Sequence, residues 1–238
     1  MKKIFTLIAV ALLGGAVSVY AQGTYAIAVN DPITAGQEIT SVSNATLTFS
    51  ASGGTFILGK KTQNWVETDF VAYTNGGESG KIVDGAAPTG CVYIIKTAKA
   101  GQVTVGVQLS PNKGFHILDK DFAEVTGYTY NLPASAEATE SQVMTTNAKG
   151  EAIIPNGGKK SNGTVTFNVA ADGTYYVFAA GTKMGFFGFK YTVADGINNI
   201  ATETEANANA SIYNLAGQQV SKDFKGVCIQ NGKKFINK

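Results

Sequence analysis

The stretch "GTYYVFAAGTKMGFFGFKYTV", Gly173 to Val193, holds two apolar runs hinged at Gly181 to Lys183. Successive side chains of a strand point to opposite faces, so a half-buried antiparallel strand alternates apolar and polar residues. This stretch does not. Tyr175 and Val177 point one way, Tyr176 and Phe178 the other, and both pairs are apolar. The sequence therefore predicts a hairpin whose second face is covered by protein, by a neighbouring domain or by a ligand. In its second run Phe187, Phe189, Tyr191 and Val193 share the face assigned to the core, and Phe186, Gly188 and Lys190 fall on the reverse. There Gly188 either lets Phe186 lie across its own backbone or leaves a shallow shelf where a ligand or partner approaches the strand.

Working outward, the same two-residue period runs through "TYAIAV", "ATLTFSA", "CVYIIKT", "GQVTVGVQLS" and "GTVTFNVA". These segments are rich in Val, Ile, Thr, Tyr and Phe and are bounded by Gly, Asn, Asp and Pro. No amphipathic helix stands out, only short helical turns around Ser135 to Ser141. Many short strands over roughly 170 residues predict an all-β fold, a β-sandwich of jelly-roll type.

The ends divide the chain further. "MKKIFTLIAVALLGGAVSVYAQ" has a Lys2, Lys3 start, an apolar run from Ile4 to Val17 and small residues Val19 and Ala21 at a cleavage position. That order is a secretory signal peptide over residues 1–21. Its run is shorter than the roughly 20 apolar residues of a spanning helix, and no other segment approaches that length, so no transmembrane segment is expected in the mature chain. The sandwich then covers 22–193. "ADGINNIATETEANANAS" is polar, small and poor in aromatics, as a linker over 194–210 would be. Residues 211–238 resume apolar clusters with turn signals, the last an Asn231-Gly232 pair, the strongest short hairpin signal; they read as a small β module.

Composition excludes several function classes. All 19 basic residues are Lys, and loss of Lys2 and Lys3 would bring the formal charge of +2 to zero. Nucleic-acid binding wants a basic footprint and Arg for bidentate contacts, so a nucleic-acid partner is not expected. Cys91 and Cys228 lack zinc or redox spacing and read as separate buried thiols, a bridge between them being the alternative.

Catalytic candidates are few. His116 is the sole histidine; it sits between Phe115 and Ile117 and reads as structural, and no Gly-x-Ser-x-Gly elbow accompanies it. Asp119, Asp121 and Glu124, or Glu67 with Asp69, could supply carboxylates for glycoside cleavage, but no catalytic residue is assigned. The "TNGGESGKIVDG" loop offers Glu78 and Asp84 without the pattern of a calcium loop, so no metal site and no cofactor is implied.

A binding face is better supported. In "WVETDFVAY" Trp65, Glu67, Asp69 and Tyr73 share one side with Val71, while Phe70 and Ala72 take the other, the core side. Aromatic planes that stack on a sugar ring, beside carboxylates that accept hydrogen bonds from hydroxyls, are what a neutral glycan needs. The carbohydrate-binding set is thus Trp65, Glu67, Asp69, Tyr73, Phe186 and Lys190.

Two resemblances add to this. Ile212 to Gln218, Lys225-Gly226-Val227 and Asn231 to Phe235 resemble the C-terminal sorting-type domain of exported proteins from Gram-negative bacteria with type IX secretion. That likeness implies export or surface attachment through the tail, with Cys228 departing from the usual aliphatic or aromatic strand residue. "NWVETDFVAYTNGG", "GQVTVGVQLSPNKGFHIL" and "GTKMGFFGFKY" look like β-sandwich modules of the same bacteria, found alone or appended to polysaccharide-degrading enzymes. They imply a secreted or surface-associated, non-catalytic, carbohydrate-binding protein. The alternative is a structural or adhesive cell-surface protein that binds another protein; a polysaccharide-degrading enzyme ranks third.

Overall fold

The structure is a computed structural model that describes residues 22–61, 69–134, 141–193, 211–214, 218–221, 223–230 and 233–237. The signal-peptide and linker segments, Trp65, Glu67 and the turns near Ser135 lie outside them. The fold is all-β, a jelly-roll-like sandwich followed by a small β module. Two compact units divide the chain, Met1–Asp195 and Gly196–Lys238.

The first unit is built on two antiparallel sheets. One runs in the order Gln22–Ala26, Gly185–Val193, Gly101–Leu109, Ser161–Val169, Thr129–Ala134. The other runs Thr145–Thr146, Ala152–Ile153, Phe115–Leu118, Gly173–Ala179, Tyr93–Thr97, Ala45–Phe49, Glu38–Ile39. From Gly101 to Val193 the chain behaves as one long ribbon rolled up. Gly101–Leu109 pairs with Gly185–Val193, Phe115–Leu118 with Gly173–Ala179, and Thr129–Ala134 with Ser161–Val169. The nested pairs fall in alternate sheets.

This corrects the expected hairpin. Gly173–Ala179 and Gly185–Val193 do not pair with each other; each lies in a different sheet, and residues 180–184 arch across the sandwich edge. Tyr93 fixes the arch. Its hydroxyl donates to the Met184 carbonyl at 3.0 Å, and its ring stacks on Phe186 at 4.2 Å. Burial pushes the Tyr93 phenol well above its ordinary value, so it stays a donor.

The core between the sheets is where alternation places it. Val103, Val105, Val107, Phe189 and Tyr191 from one sheet meet Leu47, Phe49, Ile95, Ile117 and Val177 from the other. Burying such a side chain contributes about 1.5–3 kcal/mol. One position breaks phase. A bulge between Phe186 and Gly188 adds a residue opposite Val107 and Gly106. Phe186 therefore turns into the core and Phe187 outward, the reverse of strict alternation, because a bulge re-aims every side chain before it.

Both outer faces are then covered in part by the chain's own loops. Phe187 packs with Phe70 and Tyr73 over Gly106, and Thr74 takes over as backbone partner of Phe186, with bonds of 3.0 and 2.9 Å. On the opposite sheet Phe178 packs with Val92 and Leu118, and Ile94 and Tyr176 lie against them; Gly80 approaches so closely that an added Cβ would sit 2.4 Å from the Phe178 ring. Aromatics on both faces of Gly173–Val193 are thus covered by neighbouring segments of the same unit.

The second unit is a four-stranded antiparallel sheet in the order Gln219–Val220, Ile212–Asn214, Gly226–Gln230, Lys233–Asn237. Gln230 pairs with Lys233, which leaves the two-residue connection that an Asn-Gly hairpin requires. Ile212 and Cys228 are buried, and both Cys91 and Cys228 are free thiols. Among the described residues no helix is long and apolar enough to cross a membrane.

Candidate functional site

Three groups of side chains outside the main core carry chemistry. The first is the expected binding face. Asp69 opens the segment that runs over the outer face of the first sheet, and its Oδ2 meets Lys190 Nζ at 2.6 Å. The same ammonium lies 5.4 Å from the centre of the Phe70 ring, within cation–π reach. Lys190 reaches it because the residues after the bulge keep alternate phase, which aims Lys190 outward. The ion pair, the ring and the lysine stem form a compact charged patch.

Of the remaining members of the expected set, Tyr73 and Phe186 do not join that patch as exposed groups, and Trp65 and Glu67 lie outside the described residues. Tyr73 is buried against Phe187, ring centres 5.4 Å apart. Phe186 is fully buried in the sandwich core. Phe70, assigned to the core side, is fully buried on the outer face of the first sheet instead, in the satellite cluster with Tyr73 and Phe187. Lys60–Lys61 pairs with Ala72–Tyr73, so the segment that carries Trp65 and Glu67 joins these two strands.

The second group surrounds His116, which is 2% exposed and stacks on Phe178 at 5.0 Å. Its Nδ1 meets the Glu124 carboxylate, and its Nε2 faces Glu151 Oε1 at 3.6 Å, too long for a hydrogen bond. Glu124 comes from the loop after Phe115–Leu118, which Asp119 shapes by accepting from the Asp121 and Ala123 amides. Glu151 comes from the hairpin before Ala152–Ile153, where Asn147 donates to it at 2.7 Å. His116 thus sits between the sheet and the carboxylates of two loops. Asp121 pairs with Lys120 at the surface, so the carboxylates Asp119, Asp121 and Glu124 are spent on loop structure and on His116.

The third group was not foreseen. A concavity of about 550 Å³ opens at one end of the second sheet, lined among others by Ser43, Asn44, Thr46, Lys96, Asp172 and Thr174. The only sequence signal for it is the polar phase of three strands, Thr46 in "ATLTF", Lys96 in "YIIKT" and Thr174 in "GTYYV". Alternation exposes those residues on one face, but only the cross-strand register brings them into one row. Among the described residues no cluster of three or more His, Cys, Asp or Glu side chains could hold a metal ion.

No protein-family model matches the chain, and no curated protein matches it.

Proposed function

We propose that this is an exported, non-catalytic carbohydrate-binding protein, secreted or held at the cell surface, whose C-terminal module serves export or attachment. The observation that carries the reading is the Asp69, Phe70, Lys190 patch on the outer face of the sandwich, in the segment that follows Trp65 and Glu67 in the sequence. A fixed carboxylate and ammonium suit the acceptor and donor chemistry of a neutral glycan's hydroxyls. The burial of His116 supports a role without acid–base turnover.

A glycan array probed with the mature protein, followed by titration of the best hit, tests the reading. Trp65→Ala should weaken binding by about 1–3 kcal/mol, the scale of a flat ring stacked on an aromatic, with the unfolding midpoint unchanged. Phe70→Ala should instead cost roughly 3–5 kcal/mol of stability through the cavity it opens. If Trp65→Ala unfolds the protein as badly as Phe70→Ala, Trp65 is a packing residue and the reading loses its stacking platform.

An adhesive role toward another protein has one observation in its favour. Val29, Ile57 and Leu58 are exposed together beside Lys60 and Lys61, an apolar patch of the kind that marks contact surfaces. Loss of self-association or partner capture in Leu58→Lys, with glycan binding absent from the wild type, would favour that role.

A further inference from the structure

We infer that the concavity at the end of the second sheet is a second binding site, for a short neutral oligosaccharide; the inference rests on the carbohydrate reading and adds a site distinct from the Asp69, Lys190 patch. Its floor is a row of three outward side chains set by register. Thr46 lies opposite Lys96, and Lys96 opposite Thr174, while the adjacent positions Ala45, Thr97 and Gly173 are buried. Thr97 is held there by its hydroxyl, which donates to the Ala170 carbonyl at 2.9 Å.

Two loops raise the walls. Asn44 and Asp172 both adopt left-handed backbone, φ 60° and 51°, the conformation Asn and Asp tolerate best among residues with a side chain. Asn44 is anchored where the Ala98 amide donates to its carbonyl at 2.8 Å. The two lips thus present a carboxamide, on an anchored backbone, and a carboxylate.

The chemistry of the lining selects the ligand class. Among the described residues Lys96 and Asp172 are its one cation and one anion, so the lining has no net charge and no reason to prefer a polyanion. Its hydroxyls can each donate and accept, as a sugar's hydroxyls do, and exposed Ala98 supplies a small apolar surface for C–H groups. The volume of about 550 Å³ falls inside the ~300–1,000 Å³ span of ligand clefts and exceeds what a single small solute fills. Among the described residues no aromatic ring lines the cavity, so binding there depends on hydrogen bonds rather than on stacking.

The test is an amide-resolved NMR titration of the mature protein with maltotriose, cellotriose, laminaritriose and mannotriose. At least one should shift the amides of 43–46, 96–98 and 172–174. Lys96→Ala, at an exposed position, and Thr46→Val/Thr174→Val, at half-buried ones, should each weaken that trisaccharide about five-fold or more, while the unfolding midpoint stays at the wild-type value; valine keeps the branched shape and removes only the hydroxyl. Shifts confined to residues around Asp69 and Lys190 would overturn the second site and leave the carbohydrate reading standing. Shifts at the concavity that survive all these substitutions would overturn the role given to Lys96 and the hydroxyl row. If no trisaccharide shifts any amide and the glycan array is also blank, both the second site and the carbohydrate reading fall.

Discussion

Gly188 shows how much one missing side chain decides. Its φ is +132°, and an added Cβ would lie 2.1 Å from the Tyr25 carbonyl oxygen on the neighbouring strand. Sequence reasoning finds the glycine between two rings and reads it as room for Phe186; the structure gives it a different task. It closes the bulge that sends Phe186 inward and Phe187 outward, and it lets Gln22–Ala26 approach closely enough to pair. Gly188→Ala should therefore cost about 3 kcal/mol or more, since backbone strain and a clash with backbone act together. Urea unfolding followed by far-ultraviolet circular dichroism measures it, and a loss below about 1 kcal/mol would mean the bulge accommodates a side chain.

At the scale of elements, most strands were legible, because Val, Ile, Thr, Tyr and Phe at a period of two leave few alternatives. "GQVTVGVQL", for example, is a nine-residue strand, Gly101–Leu109. Pairing was not legible. Gly181 to Lys183 carries the same turn residues whether the chain folds back beside itself or arches to the other sheet, and the choice lies with distant partners such as Tyr93. The binding face suffered for the same reason: alternation placed Phe186 outward until a bulge reversed it. The loops over the outer faces were also silent, since what holds them is a few contacts made across long separations. His116 is the firmest of these. His116→Ala would leave Glu124 and Glu151 without their shared partner over the apolar Phe178 ring and should cost roughly 1–3 kcal/mol, less than a fully buried pair because Glu124 is half exposed. Faster hydrogen exchange at residues 123–127 and 145–152, with the sandwich core still protected, is the expected signature. Uniform loss of protection would show that His116 holds the whole fold rather than two loops.

For the whole molecule, two expectations follow from burial and from the division into units. The phenols of Tyr25 and Tyr93 are both pushed above their ordinary value of 10.0, in each case chiefly by burial, with Asp31 adding to the effect at Tyr25 and Cys91 at Tyr93. The unfolded chain gives up these protons near the ordinary value and the folded chain holds them, so the contribution is intact below pH about 10 and is lost as pH rises beyond it. The urea midpoint should be flat between pH 7 and 9 and fall steeply above 10; Tyr93→Phe should soften that fall. The first unit ends at Asp195, so a fragment 22–195 should melt at the temperature of the sandwich transition in the full chain, and a shift of more than a few degrees by calorimetry would show that the second unit supports it. The rolled ribbon has a consequence in time. Its outermost pair joins Gly101 to Val193, and the Tyr191 hydroxyl reaches the Lys99 carbonyl across 92 residues at 2.7 Å. No first half of this sandwich can be finished before the last strand arrives, and closure over such separations takes milliseconds to seconds. A polypeptide emerging one end first would remain threadable until its final strand is free, which is the state any narrow translocation pore demands of its cargo.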